Sequence, residues 1–182
     1  MEQQSTSPAM AALKSGVIIG LVMLVISFLI YFIDYSLLVA AWYGFAVFVL
    51  FFGLVIYFGI QYRKEIGGFM PYGPAFQFAF VTLIVSGLIS TLGNIILYQL
   101  IDPGLSELLV KVQLENMLAM LDNFGAGDNI SSDQINEMRT EMEDAFTFAG
   151  QIKGFGVSLI IYAIFSLILG AIIKKRDKST DF

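Results

Sequence analysis

Four methionines in the second half of this sequence could form a metal site. Met117 and Met120 are three residues apart, and Met138 and Met142 are four apart, so each pair falls on one side of a helix. Their thioether sulfurs are soft ligands that suit Cu(I). Methionine also fills irregular apolar contacts. We favour this second interpretation, so the sequence predicts packing residues and no metal site.

Acidic side chains are concentrated in the same part of the chain. One group lies between 133 and 144, and a run with oxygen ligands and glycines extends from Asp122 to Asn129. Calcium loops of the EF-hand type alternate acidic positions and end in a Glu, which neither stretch does. We interpret the run as a turn and the group as a solvated helix face. The group comprises Asp133, Glu137, Glu141, Glu143 and Asp144.

Polar and small residues inside long apolar runs suggest a third kind of site. Many recur at steps of four, as Gly16 and Gly20 do, which would let hydroxyls line a path between two helices. The interpretation we favour is close helix packing in lipid. No ionisable residue lies deep in these runs, so the usual mark of a proton relay or ion-coupled carrier is missing. The candidate path comprises Ser86, Ser90, Thr91, Asn94, Gln99, Ser158, Tyr162 and Ser166.

The sequence contains no Cys and no His. Without Cys there is no disulfide, thiol nucleophile or thiolate ligand. Without His, the commonest metal ligand and the usual proton shuttle near neutral pH are also missing. We therefore predict no catalytic residue, no cofactor and no enzymatic activity.

The elements that must position these residues are four long apolar stretches. Each is close to the ~20 residues that cross a hydrocarbon layer as a helix, and the mean hydropathy of the chain is +0.79. Unbroken apolar runs favour helices over membrane strands, whose polarity alternates. The sequence predicts an all-α integral membrane protein with four transmembrane helices. The stretches are 13–33, 37–60, 75–101 and 155–173, the last within a segment 152–173.

Positive charges predict the orientation of these spans. Seven of the ten Lys and Arg residues fall on one side. The positive-inside rule places that side, with tails 1–12 and 174–182 and the inner loop 61–74, in the cytoplasm. Segment 102–151 is then periplasmic or extracellular. Orientation explains the basic tail, so no nucleic-acid partner is predicted. The seven residues are Lys14, Arg63, Lys64, Lys174, Lys175, Arg176 and Lys178.

Segment 102–151 is predicted to form an external acidic hairpin of two helices. Pro103 suits a helix start, and Ser131 with Gln134 matches a capping box for the second helix. The first helix has apolar residues around most of its circumference, more than one partner helix can cover. No proline separates the second helix from span four, so their continuity is left open. The predicted contact surface comprises Leu114, Met117, Leu118 and Leu121.

Several short motifs carry a family resemblance that extends over nearly the whole chain. They are Tyr62-Arg63, Gly68-Phe69-Met70-Pro71-Tyr72-Gly73, Ala75-Phe76, Gly87-Leu88-Ile89-Ser90 and Tyr98-Gln99-Leu100-Ile101-Asp102-Pro103. With these motifs the sequence resembles an uncharacterised family of four-span bacterial inner-membrane proteins, classified as a domain of unknown function. The resemblance implies four spans with a large segment between spans three and four. It implies no activity and no catalytic residues.

The sequence thus favours a non-enzymatic interaction or accessory protein of the bacterial inner membrane. Its hairpin would associate with a second copy or with another membrane protein, while the spans contact the lipid bilayer. The alternative hypothesis is a small channel or carrier with a polar path between spans three and four.

Overall fold

Long apolar segments with few helix breakers should fold into helices, and the computed structural model, which describes residues 7–125 and 130–176, is built from them. These residues contain no β-strand. The all-α prediction is confirmed for them, while residues 1–6, 126–129 and 177–182 lie outside the described parts. The helices are α1 (Pro8–Asp34), α2 (Ala41–Glu65), α3 (Tyr72–Ile96), α4 (Leu105–Asn123), α5 (Ser132–Phe146) and α6 (Phe148–Ile173).

Four helical segments are long and apolar enough to cross a membrane, as the sequence predicted. They are Pro8–Val39, Ala41–Glu65, Tyr72–Ile101 and Phe148–Ile173. All four begin before or end after the predicted apolar stretch, because intrahelical hydrogen bonds continue past the last apolar side chain. A helical bundle of this composition is compatible with a multi-pass membrane protein.

The start of the second span differs from the prediction of residue 37. Tyr35–Val39 form a short 3₁₀-helix, and α2 begins only at Ala41. The Asp34 carboxylate accepts hydrogen bonds from the Ser36 backbone N–H at 2.9 Å and from its hydroxyl at 2.7 Å. This side-chain cap favours a tight turn over a continued α-helix.

The contacts divide the chain into two compact units. The first unit comprises Met1–Leu24, Val47–Ser90 and Phe155–Phe182, and the second comprises Val25–Ala46 and Thr91–Gly154. Residues of α1, α2, α3 and α6 contribute to both. The buried core of the first unit is apolar and drawn from all four helices and the link before α3. It comprises Ala12, Ile19, Met23, Val55, Tyr62, Met70, Ala75, Phe78, Ala79, Leu83, Leu169 and Ile173.

Helices α1 and α3 approach each other at two glycines in the first unit. A Cβ on Gly16 would lie 2.7 Å from Cβ of Val85, and a Cβ on Gly20 would lie 2.8 Å from Cβ of Ile89. Real side chains do not tolerate such distances, so only glycine permits this approach. The small-residue spacing in span one is therefore a packing feature.

Helix α6 packs in the same way in this unit. A Cβ on Gly59 of α2 would lie 2.6 Å from Cδ1 of Ile173, and a Cβ on Gly170 would lie 3.0 Å from the Phe76 backbone. Small residues allow helix backbones to come close in lipid, where dispersion contacts contribute to association. The contacts of α6 with α2 and with α3 therefore each involve a glycine.

In the second unit, α4 packs against the 3₁₀-helix and against α5. Leu105 and Leu109 of α4 are fully buried and form a core with Leu97. Leu38 and Val39 of the 3₁₀-helix pack against that core. The link between the first two spans thus covers part of α4.

Two side-chain caps separate α5 from α4 and from α6. The predicted capping box of α5 is confirmed, because the Ser131 hydroxyl accepts from the Gln134 backbone and the Gln134 side chain accepts from the Ser131 backbone. At the other end, Thr147 has extended backbone and its hydroxyl accepts from the Gly150 N–H at 2.9 Å. The second helix of the predicted hairpin therefore does not run on into the fourth span, because α5 ends at Phe146 and α6 begins at Phe148.

The link between α2 and α3 turns at Gly67 and Gly68. Their φ angles are 101° and 88°, in the left-handed region that favours glycine. These two glycines follow the last residue of α2, Glu65, and turn the chain towards α3. Gly73 and Pro74 lie in the first turn of α3, where a missing N–H is tolerated.

We expect Gly16→Ala and Gly20→Ala to lower the melting temperature of the protein in detergent. The added methyl groups would overlap Val85 and Ile89, and overpacking of this kind costs about 1–3 kcal/mol. Gly53→Ala is the matched control, because an added Cβ in this α2 position has no neighbour within 4 Å. Equal effects of all three substitutions would contradict the glycine contact.

Candidate functional site

A cavity of about 320 Å³ lies between α4 and α5 in the second unit. Three of the four methionines singled out in the sequence meet there, whereas Met120 is 56% exposed. The cavity is bordered by one carboxylate and one amide, so its wall is amphipathic. Its lining consists of Gln113, Met117, Met138, Glu141, Met142 and Ala145.

The four residues predicted as a contact surface have different environments. Leu114 is only 5% exposed and belongs to the buried face of α4. Met117 lines the cavity, and Leu118 and Leu121 are half-buried. Their role in association stays a prediction.

The most exposed large apolar side chains at α4 lie elsewhere. They are Leu108 at 42%, Met120 at 56% and Phe124 at 78% exposure. Sequence reasoning missed this division because it considered only α5 as a cover for α4. The additional cover is the 3₁₀-helix at Tyr35–Val39, which helical periodicity within segment 102–151 does not reveal.

The acidic residues of α5 are accessible to solvent, and Glu141 among them also borders the cavity. Asp133, Glu137, Glu141, Glu143 and Asp144 are all exposed. Within residues 7–125 and 130–176, no three Asp or Glu side chains are grouped so that they could hold a metal ion. The Asp122–Asn129 run is described only as far as Gly125, and its residues 126–129 lie outside the described parts.

The hydroxyls of the candidate polar path bond mainly within their own helices. Ser86 donates to the Thr82 carbonyl at 2.7 Å, and Ser166 donates to the Tyr162 carbonyl at 2.6 Å. Ser158 does the same one turn back along α6. Every buried side-chain N or O atom in the described parts of the chain has a hydrogen-bond partner.

The remaining path residues are divided between the two units. Tyr162 packs on Gly87 of α3, where a Cβ would lie 2.5 Å from the tyrosine hydroxyl oxygen. Ser90 is half-buried in the same unit, while Thr91 and Asn94 are half-buried in the second. In the first unit, the arrangement supports packing of α3 against α6.

Side-chain contacts hold the end of α3 in the second unit. The Tyr31 hydroxyl donates to the Asp102 carboxylate at 3.0 Å, and the Gln99 amide donates to the Phe146 carbonyl at 3.1 Å. The rings of Tyr98 and Phe146 pack edge to face, with centroids 5.1 Å apart. Tyr98, Gln99 and Asp102 belong to the motif that ends at Pro103. This motif therefore contributes contacts that hold the fold together.

Two other motif residues, Arg63 and Met70, form hydrogen bonds with the end of α6 in the first unit. Met70 and Lys175 exchange two backbone hydrogen bonds of 2.9 Å each. The Arg63 guanidinium donates to the Ile173 carbonyl at 2.5 Å. A cation at the last carbonyls of a helix also interacts favourably with its dipole. Arg63 in the last turn of α2 and Met70 in the link before α3 therefore hold the C-terminal end of α6.

We expect Leu substitutions at Met117, Met120, Met138 and Met142 to lower stability by less than about 1.5 kcal/mol each, because Leu and Met have similar volumes. Cu(I) should not raise the melting temperature of the wild type. Stoichiometric Cu(I) binding that disappears in the Leu variants would show instead that these thioethers are ligands.

Comparison with known proteins finds a family but no individual relative. No curated protein and no solved structure matches the chain. One family profile matches residues 14–175, from the second turn of α1 to just beyond α6, and its description is "Protein of unknown function (DUF4199)". The resemblance seen in the sequence is thereby confirmed, and the chain belongs to this DUF4199 family.

Proposed function

We propose that this protein is a non-enzymatic interaction or accessory protein of a bacterial inner membrane, and that the α4–α5 pair binds its partner. The methionine-lined cavity between these helices is the observation that carries the proposal. Flexible thioether side chains adapt to apolar partners and are common at adaptable binding surfaces. The cavity therefore suits the apolar side chains of a partner segment.

Exposed apolar side chains at the C-terminal end of α4 support the same conclusion. Met120 and Phe124 are more than half exposed. Burial of such side chains stabilises complexes by about 1.5–3 kcal/mol each. A partner that covers them would gain affinity without any change in the bundle core.

Charge favours a different protein over a second copy as the partner. Segment 102–151 contains ten acidic residues and two basic ones, Lys111 and Arg139. Two copies would bring like charges together, whereas a basic partner surface would be attracted. We therefore propose a partner segment with an apolar side and Lys or Arg at its border.

The distribution of basic residues supports the proposed orientation. Six of the nine Lys and Arg residues in the described parts belong to the first unit. They are Lys14, Arg63, Lys64, Lys174, Lys175 and Arg176, while Lys111, Arg139 and Lys153 belong to the second. Under the positive-inside rule the termini are cytoplasmic and segment 102–151 is external.

The channel or carrier hypothesis has less support. Hydroxyls at Ser86, Ser158 and Ser166 bond to their own helices. Solute movement into liposomes that exceeds the empty-vesicle background would favour it.

Reporter fusions test the orientation. A fusion after Tyr62 and one after Phe182 should report the cytoplasm, because the flanking basic residues retain those segments inside. A fusion near Gly127 should report the external side. An external result at Phe182 would contradict the model of four spans with both termini inside.

Paired substitutions test the contact surface. Met120→Glu with Phe124→Glu should lower partner capture by about tenfold or more, since apolar anchors at interfaces are worth about 2 kcal/mol or more. Membrane insertion should be unaffected because the apolar spans are unchanged. Capture is measured as the yield of in-membrane crosslinks from α4, with the captured protein identified by mass spectrometry.

Two control variants separate association from stability. Asn116→Glu adds a carboxylate at an exposed polar position of α4 and should leave capture unchanged. Leu114→Ala removes a buried side chain and should lower the melting temperature, with a stability loss of about 2–5 kcal/mol. If Met120→Glu with Phe124→Glu lowers only the melting temperature, the two residues pack within the monomer and the proposal is wrong. Native mass spectrometry tests for a second copy, and a dimer lost in this double variant would replace the proposed partner.

A further inference from the structure

A groove lies in the first unit, between the first turns of α1 and the last turns of α2. Its volume is about 200 Å³, and it shares no residue with the cavity between α4 and α5. Ligand sites for drug-sized molecules usually measure about 300–1,000 Å³. The groove is therefore large enough for part of a ligand, such as a headgroup, rather than for a whole large molecule.

The groove has a polar end and an apolar end. Lys14 and Glu65 line the polar end, together with the amide of Gln61. Ile18 and Phe58 line the other end, one to two helical turns further along α1 and α2. Both helices continue from there as long apolar segments. This order, charged groups followed by apolar side chains, matches the order of groups along a phospholipid at a membrane surface.

The two charged side chains are available to a ligand. Lys14 and Glu65 are exposed, and neither forms an ion pair with another residue in the described parts of the chain. A cation and an anion that share one groove without pairing can bind the two ends of a zwitterion. A lipid that carries only negative charge would meet the Glu65 carboxylate and be repelled by it.

We propose that this groove binds a phospholipid whose headgroup bears both a phosphate and a primary ammonium, as phosphatidylethanolamine does. The Lys14 ammonium binds the phosphate, and the Glu65 carboxylate binds the lipid ammonium. Ile18 and Phe58 contact the beginning of an acyl chain. The lipid thereby fills the space between α1 and α2 at their polar ends.

Native mass spectrometry of the full chain in detergent tests this assignment. Phosphatidylethanolamine, phosphatidylcholine and phosphatidylglycerol with identical acyl chains are titrated in turn. The wild type should bind phosphatidylethanolamine best, because methylation removes the N–H donors of the choline headgroup and glycerol carries no ammonium. Lys14→Gln should weaken phosphatidylethanolamine binding about fivefold, the factor expected for one charge near a lipid phosphate.

The second variant tests the ammonium contact. Glu65→Gln should remove the preference for phosphatidylethanolamine over phosphatidylglycerol while leaving phosphate binding intact. Lys64→Gln is the matched control, because Lys64 precedes Glu65 in the last turn of α2 but does not line the groove. It should leave the preference among the three lipids unchanged.

Three outcomes would overturn the proposal. One is equal weakening by Lys14→Gln and Lys64→Gln, which would indicate a general attraction between a basic surface and phosphate. Another is stronger binding of phosphatidylglycerol that Glu65→Gln does not change. A third comes from a photoactivatable phosphatidylethanolamine on the wild type, which needs no variant. Its crosslinks should map to Ile18 or Phe58, and crosslinks confined to other helices would exclude this groove.

Discussion

Apolar segments of this length restrict where polar groups can find hydrogen-bond partners. In a hydrocarbon layer no water is available, so each backbone and side-chain polar group must be satisfied within the protein. The long helices satisfy the backbone, and the hydroxyls of Ser86 and Ser166 bond to carbonyls one turn back in their own helices. The described parts of the chain accordingly contain no buried side-chain N or O atom without a partner.

Because many hydroxyls bond to carbonyls of their own helix, contacts between helices depend largely on packing. In the first unit a few hydroxyls bond between helices. The Thr82 hydroxyl donates to the Ala12 carbonyl of α1 at 3.3 Å, and the Tyr72 hydroxyl of α3 donates to the Leu167 carbonyl of α6 at 3.1 Å. The helices also pack closely against one another, and Gly16, Gly20 and Gly170 permit this close packing because they have no side chain. Small residues contribute in this way because lipid provides little hydrophobic drive for helix association.

The same constraint weakens at the ends of the apolar segments, and the candidate binding surfaces lie there. Terminal carbonyls need partners at these ends, and Arg63 supplies one for Ile173 of α6. Charged side chains can stay exposed there, as Lys14 and Glu65 do at the groove between α1 and α2. The α4–α5 pair follows a short π-helix at Leu97–Ile101, and it carries an acidic exposed side and a methionine-lined cavity.

Local sequence patterns determined the four apolar helices, the Ser131 capping box and the turn at Gly67 and Gly68. Each depends on residues within a few positions of one another, through hydropathy, side-chain capping or backbone conformation. Only the tertiary structure decided which surfaces remain open. The 3₁₀-helix at Tyr35–Val39 contacts α4 from a distant position in the chain, and its Leu38 and Val39 pack against the core that contains Leu105 and Leu109. Other apolar side chains of α4, such as Met120, are exposed. Contacts between segments so far apart leave no periodic signal in either segment, so helical spacing predicted an apolar surface but not its cover.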